Sequence, residues 1–149
     1  MPLTAAERGP ALQTGEIDLL ARNVTWTSSR DAQWGDFTMI TFYDGQGMMV
    51  RKSTGWKTLQ DMEGATVATT TGTTTEMNLA DAFRLRGLDY EPLLFEKTQD
   101  TNVAYEEGRC DGETSDKSQL AALRTAMAVP EDHVILDVTM SKEPLGPVV

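Results

Sequence analysis

The sequence has 149 residues, which is the size of one domain or of a small pair of lobes. Thirteen Lys and Arg against 23 Asp and Glu give a formal net charge of −10, which argues against a nucleic-acid binder and against docking on anionic membranes. The mean hydropathy is −0.35 and no apolar stretch approaches the roughly 20 residues that span a bilayer, so the protein is not expected to be membrane-embedded.

The chain has one cysteine, Cys110, and one histidine, His133. These counts exclude an internal disulfide, a cysteine-rich zinc site and a multi-histidine metal centre, so we expect no metal and no cofactor. Neither residue has a catalytic partner by motif, and the acidic residues stand beside turns or on predicted helix surfaces. The sequence therefore favours a protein that is not an enzyme.

The first 44 residues carry few predicted elements. Thr4–Thr14 is predicted to be a helix, the apolar run Ile17–Ala21 a buried strand, and Ser28–Trp34 a short helical turn. One helix and one or two strands are too few to cover a sheet, so this region is interpreted as part of a larger unit.

The remainder of the chain has a more regular pattern. Met39–Val50 is apolar and aromatic, but Gly45 and Gly47 lie within it and suggest a turn, a bulge or a hinge. From about Val50 to Val138, strand-like and helix-like segments alternate, which is typical of βαβ units around a mostly parallel sheet. Strands are predicted at residues 65–70, 90–95, 111–114 and 134–138, and helices are predicted to begin at Thr73, at Thr98 and at Ser115 or Asp116.

Polar residues follow the predicted strand at residues 65–70, and parallel sheets bind ligands beyond the carboxyl ends of their strands. The segment Thr69–Glu76 places a glycine and several hydroxyls at the start of a helix. Free backbone N–H groups and hydroxyls there suit an anion such as a carboxylate. The alternative is an ordinary capping box formed by Thr73 and Glu76.

Two further segments carry charge next to predicted strands. In Asn23–Arg30, the Thr25 hydroxyl and the Arg30 guanidinium could hold a carboxylate, or Arg30 could be a solvated loop residue. In Cys110–Asp116, Asp116 could present its carboxylate to a cation or merely cap the next helix. The residue pattern by itself leaves these alternatives open.

Five segments form one ordered pattern that runs over nearly the whole chain. In order and spacing they resemble the amino-acid-binding (type II) solute-binding proteins of bacterial ABC importers, and most of all their general L-amino-acid-binding branch. The segments are ALQTGEIDLLARNVTWTSSRD (11–31), DFTMITFYDGQGMMV (36–50), LQDMEGATVATTTGTTTEMNLADAF (59–83), AYEEGRCDGETSD (104–116) and SKEPLGPVV (141–149).

The resemblance implies a fold and a function. It implies two α/β lobes joined by crossing strands, with a small L-amino acid bound between them and no catalysis. The fold class is then α/β: a type II periplasmic-binding-protein lobe, with a parallel-type sheet flanked by helices, plus an incomplete first lobe. The implied division is 1–44 as a fragment of the first lobe, 45–140 as the second lobe with hinge strands, and 141–149 as a crossover returning toward the first lobe.

The resemblance also implies how the ligand is held. Arg30 and donors at a helix N-terminus would bind the α-carboxylate, and Asp116 would pair with the α-ammonium, because a buried zwitterion needs a partner for each charge. The corresponding residues are Thr25, Arg30, Thr70, Thr73 and Thr74 for the carboxylate, and Asp116, Thr25 and the backbone of Asn23 for the ammonium.

The chain departs from the family in length. Family members are considerably longer and begin with a signal peptide, whereas the segment MPLTAAERGP has no apolar core of that kind. The chain is therefore expected to lack parts of the first lobe at both ends. The resemblance implies a periplasmic protein that works with an ABC permease, but the chain expressed as written is expected to stay in the cytoplasm.

Open strand edges and apolar surface around Phe42 and Tyr43 predict a homo-oligomer, most simply a two-fold dimer. The hinge segments could cross to a second copy and give a domain swap. The alternative to amino-acid binding is a non-binding oligomeric remnant with a structural or interaction role.

Overall fold

The fold is built on a sheet of six strands, as seen in a computed structural model that describes all 149 residues. The strands are β1 (Phe42–Arg51), β2 (Thr66–Thr70), β3 (Glu91–Phe95), β4 (Gly112–Asp116), β5 (His133–Ile135) and β6 (Lys142–Leu145). The helices are α1 (Arg8–Gln13), α2 (Ser28–Gln33), α3 (Thr74–Arg84), α4 (Thr98–Glu106) and α5 (Lys117–Ala126), with short 3-10 turns at Lys52–Thr54, Leu59–Met62 and Pro130–Asp132.

The strand order is β3-β2-β4-β1-β5, and β6 also pairs with β1. Strand β2 is parallel to β3 and to β4, as the strand–helix alternation predicts. Strand β1 runs antiparallel to β4, β5 and β6, so the sheet is mixed. The predicted α/β class is confirmed, with an antiparallel strand inserted beside the parallel unit.

Strand β1 links the N-terminal region to the sheet. Its residues 42–45 pair with β6, and its residues 46–50 pair with β4. The strand is continuous through Gly45 and Gly47, which excludes the predicted turn. A Cβ at Gly47 would lie 2.7 Å from Cγ of Lys117, and one at Gly45 would lie 2.8 Å from Cγ2 of Thr139, so these glycines allow close packing against β1.

The predicted strand at Ile17–Ala21 is wrong. Only Leu20 makes a β-bridge, with Val148, and Leu19 is 54% exposed. The apolar run has no neighbouring strand to extend a ladder, so it forms an irregular segment instead. Leu20 and Val148 belong to a small apolar cluster with Val24 and Phe37.

The predicted helix at Thr4–Thr14 is shorter in the structure, where α1 begins at Arg8. The carboxylate of Glu7 accepts hydrogen bonds from N and Oγ1 of Thr4, which forms a separate turn before the helix. The predicted short helix after Thr27 is confirmed as α2.

The sheet separates two apolar cores. Met48 and Met49 are adjacent in β1 and face opposite sides, as strand geometry requires. Helix α3 packs on the Met48 side through Leu79 and Phe83, and helices α4 and α5 cover the Met49 side through Tyr105 and Leu120. None of the helices has the length and apolar composition that a membrane crossing requires.

Candidate functional site

A polar cleft lies between the N-terminal region and the carboxyl ends of β2 and β4. Its cavity volume is about 40 Å³, room for a few water molecules at most. No hydrophobic residue lines it, and all seven sequence-predicted site residues do. The lining residues are Arg8, Asn23, Thr25, Arg30, Thr69, Thr70, Thr73, Thr74, Thr75, Thr98, Thr114, Ser115, Asp116 and Gln119.

Arg30 reaches the cleft from the first turn of α2. The Thr27 hydroxyl caps this helix by accepting from the Arg30 backbone N–H at 3.2 Å. The guanidinium donates to the backbone oxygen of Thr25 at 3.1 Å and lies 4.6 Å from the ring centroid of Trp34. These contacts fix the guanidinium, while burial lowers the pKa of Arg30 and the carboxylates of Glu143 and Asp116 oppose that shift.

The start of helix α3 forms the opposite wall. Thr73 caps the helix, since its Oγ1 accepts from the backbone N–H of Glu76 at 3.2 Å. The Glu76 carboxylate accepts from the N–H of Gly72 at 2.8 Å and from the Thr71 hydroxyl at 3.1 Å. The predicted capping box is therefore correct for Thr73, but its second half shifts by one residue, from the Thr73 N–H to that of Gly72.

Two other threonines complete this wall. Oγ1 of Thr70, at the end of β2, lies 3.4 Å from Oγ1 of Thr98 and also from Oγ1 of Thr101. Thr74 is buried in the first turn of α3, where backbone N–H groups have no partner within the helix. Hydroxyls and amides there provide several donors for an anion.

Asp116 ends β4 and occupies the position before helix α5, but its side chain makes no capping hydrogen bond. The alternative that Asp116 only caps the helix is therefore wrong. Asp116 as a whole is 6% exposed and lines the cleft, where its Oδ2 accepts from Nδ2 of Asn23 at 3.0 Å. Burial raises the pKa of Asp116 to about 6, with smaller raising effects from Glu143 and Asp44, while Asn23 and Arg30 lower it.

Asn23 engages the cleft through its side chain. Besides its bond to Asp116, Nδ2 donates to Oε1 of Gln119 at 2.8 Å. The family resemblance implies a role for the Asn23 backbone only, so this side-chain contact is a finding of the structure.

Glu143, in β6, is a buried residue that the sequence analysis missed. Its carboxylate accepts from the hydroxyls of Thr25 and Ser141, from the Thr74 hydroxyl at 3.3 Å, and from Nδ2 of Asn78 at 2.9 Å. Thr25, Thr74 and Glu143 come from three separated parts of the chain, so this cluster joins the N-terminal region, helix α3 and β6. No motif or spacing in the sequence indicates it.

Arg8, the first residue of α1, also lines the cleft and was missed. Its only sequence signal is a positive charge in a predicted helix.

The described chain contains no group of three or more His, Cys, Asp or Glu side chains placed to hold a metal ion. The cleft thus offers two guanidiniums, one free carboxylate, and hydroxyls and amides, which suit a small zwitterionic or anionic ligand.

Curated proteins are similar over nearly the whole chain. The "General L-amino acid-binding periplasmic protein" of Rhizobium johnstonii is 50% identical over 149 residues, which cover 99% of this chain and 44% of that protein. The "Glutamate/glutamine/aspartate/asparagine-binding protein" of Rhodobacter capsulatus is 46% identical over 150 residues, again covering 44% of that protein. The chain thus spans less than half the length of these relatives. No family model matches it.

Solved structures also match nearly the whole of this chain and extend well beyond it. An ABC transporter periplasmic binding protein from Brucella ovis, solved with glutathione bound, matches with a TM-score of 0.94 and 49% identity over 99% of this chain and 47% of its own. An ancestral arginine-binding protein bound to arginine matches with a TM-score of 0.84 and 28% identity over 100% of this chain and 65% of its own.

Proposed function

Because this chain is a homologue of the amino-acid-binding periplasmic proteins of bacterial ABC transporters, we propose that its cleft binds a free L-amino acid. The observation that carries the proposal is the placement of Arg30 and Asp116, two opposite charges from separate parts of the chain, in one cleft without apolar lining. The same observation speaks against a non-binding remnant, since a purely structural part would gain nothing from burying these charges.

In this proposal, Arg30 binds the α-carboxylate through a charge-assisted hydrogen bond. Thr70 adds a hydroxyl donor, and Thr73 and Thr74 contribute backbone N–H donors at the start of α3, since their hydroxyls already donate to the Thr70 backbone oxygen and to Glu143. The helix dipole there also favours a negative charge. On binding, the ligand's α-carboxylate exchanges its hydrogen bonds to water for hydrogen bonds to donors that the fold already holds in place.

The α-ammonium is bound by Asp116. Its Oδ2 accepts from Asn23, whereas its Oδ1 accepts no hydrogen bond from the protein and is free to accept from the ligand. Thr25 is fixed by its hydroxyl bond to Glu143 and by the bond from Arg30 to its backbone oxygen, and its hydroxyl oxygen is available to the ligand in the cleft. Because the cavity is only about 40 Å³, the cleft must widen to admit an amino acid.

Residues 1–44 and 141–149 would then belong to one lobe and residues 45–140 to the other. We further propose that the chain acts in the periplasm, as its relatives do, and as part of a protein that delivers its ligand to an ABC permease. The relatives are solute-binding proteins rather than enzymes, and the proposal includes no catalytic step.

Calorimetry against a panel of L-amino acids tests the proposal. Arg30→Ala and Asp116→Ala should each weaken binding by about tenfold to a hundredfold, because each leaves one ligand charge unpaired. Asp137→Ala, at an exposed position outside the cleft, is the matched control and should bind as the wild type does. Equal heats for the wild type and both cleft variants would contradict the proposal.

The dimer remains a separate proposal. Met39, Phe42 and Tyr43, just before and at the start of β1, are 61%, 52% and 77% exposed, and exposed apolar side chains favour contact with another apolar surface. Size-exclusion chromatography with light scattering should give a mass twice that of one chain, whose mass is 16.4 kDa. A domain swap would in addition place the hinge segments of one copy on the other, and a stable monomer at micromolar concentration would rule out both.

A further inference from the structure

Arg8 is a cation without a partner in the cleft. Its side chain lines the same cavity as Arg30 and Asp116. The protein contains one ion pair within 4.0 Å, between Arg84 and Asp81, so neither cleft arginine has an acidic partner at that distance. Nε of Arg8 is buried from solvent and has no hydrogen-bond partner.

The surroundings of Arg8 disfavour an unpaired positive charge. Burial, together with smaller effects of Arg22 and Arg30, lowers the pKa of Arg8 to about 10, and Asp116 only partly opposes them. A guanidinium that has lost water without gaining a partner carries a desolvation penalty, which an anion beside it would offset.

Arg8 has no anionic partner of its own when a neutral zwitterion occupies the cleft. Arg30 and Asp116 are both used when the α-carboxylate and α-ammonium are bound as proposed above. The Glu143 carboxylate adds a second negative charge, but that charge acts on Arg30 and its oxygens already accept from four side-chain donors, whereas the carboxylate that acts on Arg8 is that of Asp116. The Arg8 guanidinium therefore still lacks a direct anionic partner after a neutral amino acid binds.

We propose that Arg8 binds a second carboxylate of the ligand, so that the preferred ligand of this cleft is an amino-acid compound with a net negative charge. This inference rests on the proposed amino-acid binding and extends it from ligand class to ligand side chain. The absence of any apolar lining residue supports it, because a hydrophobic ligand side chain would find no apolar contact.

A second carboxylate has two sources among small amino-acid ligands. It is either the side-chain carboxylate of an acidic amino acid or the C-terminal carboxylate of a short peptide linked through such a side chain. The chemistry that Arg8 recognises is the same, a carboxylate on the far side of the ligand from its α-carbon, and the two sources differ only in reach.

Ligand pairs that differ only in that charge test the inference. For the wild-type chain, calorimetry should show that L-glutamate binds about tenfold or more tightly than L-glutamine, its neutral isostere. In Arg8→Gln this ratio should fall close to one, with L-glutamine affinity changed by less than about threefold. γ-L-glutamylglycine and its C-terminal amide form the second pair, and the pair that shows the larger Arg8-dependent ratio identifies the source.

Arg22→Gln is the matched control, because Arg22 carries the same charge and influences Arg8 but is exposed and does not line the cleft. Arg22→Gln should leave unchanged the affinity ratios of both ligand pairs. If Arg22→Gln and Arg8→Gln reduce these ratios equally, the preference is a diffuse charge effect and the inference is overturned. Arg8→Lys, which keeps the charge but loses the planar fork, should retain part of the preference and serves if Arg8→Gln does not fold.

The remaining outcomes separate the two proposals. If the wild type binds amino acids with equal affinity within both pairs, the role of Arg8 is wrong and the proposed function stands. If no amino acid or peptide of the panel binds, the proposed function fails, and the inference that rests on it fails with it.

Discussion

Nδ2 of Asn23 donates a hydrogen bond of 3.0 Å to Oδ2 of Asp116, which lies 93 residues further along the chain. This bond connects the N-terminal region to the end of β4 across the cleft. It occupies one oxygen of the carboxylate that is proposed to bind the ligand ammonium. The charge state of Asp116 therefore depends both on burial and on Asn23.

Ligand binding should depend on pH through Asp116. Burial raises the pKa of its carboxyl to about 6, so the empty cleft holds a neutral carboxyl below pH 6 and a carboxylate above it. Only the carboxylate attracts an ammonium. The affinity should therefore be constant above about pH 7 and fall by up to about tenfold per unit below pH 6, as measured by calorimetry.

Two variants define the cause of that pH dependence. Asn23→Ala removes a bond that lowers the Asp116 pKa, so the midpoint of the affinity profile should move to higher pH. Asp116→Asn should bind weakly and without the change near pH 6. A wild-type affinity that stays constant from pH 5 to 8 would refute the assignment of Asp116 to the ammonium.

Glu143→Gln should destabilise the fold. The change leaves the shape intact but replaces an acceptor of four hydrogen bonds with a group that is half donor, which leaves buried donors of Thr25, Thr74, Asn78 or Ser141 unmatched. The free energy of unfolding in urea should fall by about 1–3 kcal/mol. Glu131→Gln, at an exposed position, should change it by less than about 0.5 kcal/mol, and equal effects of the two variants would contradict this role.

Glu113 should make stability fall as pH rises. It is 1% exposed in β4, neither carboxylate oxygen has a hydrogen-bond partner, and burial with a smaller effect of Glu106 raises its pKa to about 8. The unfolded chain ionises near 4.5, so the folded state binds the extra proton between these two values. The free energy of unfolding should decrease by up to roughly 1.4 kcal/mol per unit across that range and level off above pH 8.

Glu113→Gln isolates this effect, since an amide does not titrate. The difference in unfolding free energy between wild type and variant should change with pH between about 4.5 and 8 and be constant outside that window. A difference that does not vary with pH would show that Glu113 ionises as an ordinary exposed carboxyl does.

Thr73→Ala should weaken both the start of α3 and the cleft wall. Loss of the cap removes the bond from the Glu76 N–H and lowers stability by about 1 kcal/mol. Thr73→Ser retains the hydroxyl and should restore most of the stability and the amino-acid affinity. If alanine and serine behave alike in thermal unfolding and in calorimetry, the hydroxyl has no role at this position.

The parallel part of the fold and most of the cleft follow from the sequence. Ligands bind beyond the carboxyl ends of parallel strands, and the ends of β2 and β4 carry Thr70 and Asp116 at positions that strand–helix alternation predicts. For Thr25 and Arg30 the residue pattern leaves a carboxylate site and a solvated loop open, and the family resemblance favours the site. The structure brings these residues into one cavity, as expected.

Other features depend on contacts that no local pattern specifies. Glu143 reaches Thr25 and Thr74 only because β6 pairs with β1. Arg8 reaches the cleft only because the N-terminal segment folds against the start of α3, where Ala6 lies beside Gly72. The run Ile17–Ala21 was misjudged for the same reason, since an apolar run becomes a strand only where a neighbour can extend the ladder. Long-range partners therefore decide what local propensity leaves open.

Strand β1 passes from the β6 ladder to the β4 ladder without interruption. Sliding of β1 along β6 would break several backbone hydrogen bonds at once, whereas a small torsion spread over both strands preserves them. If the proposed cleft opens while these bonds are kept, the opening is a rotation about the paired strands. Backbone amides of β1 should consequently exchange their hydrogens equally slowly in the empty and occupied protein, even though the span from Arg30 to Asp116 changes.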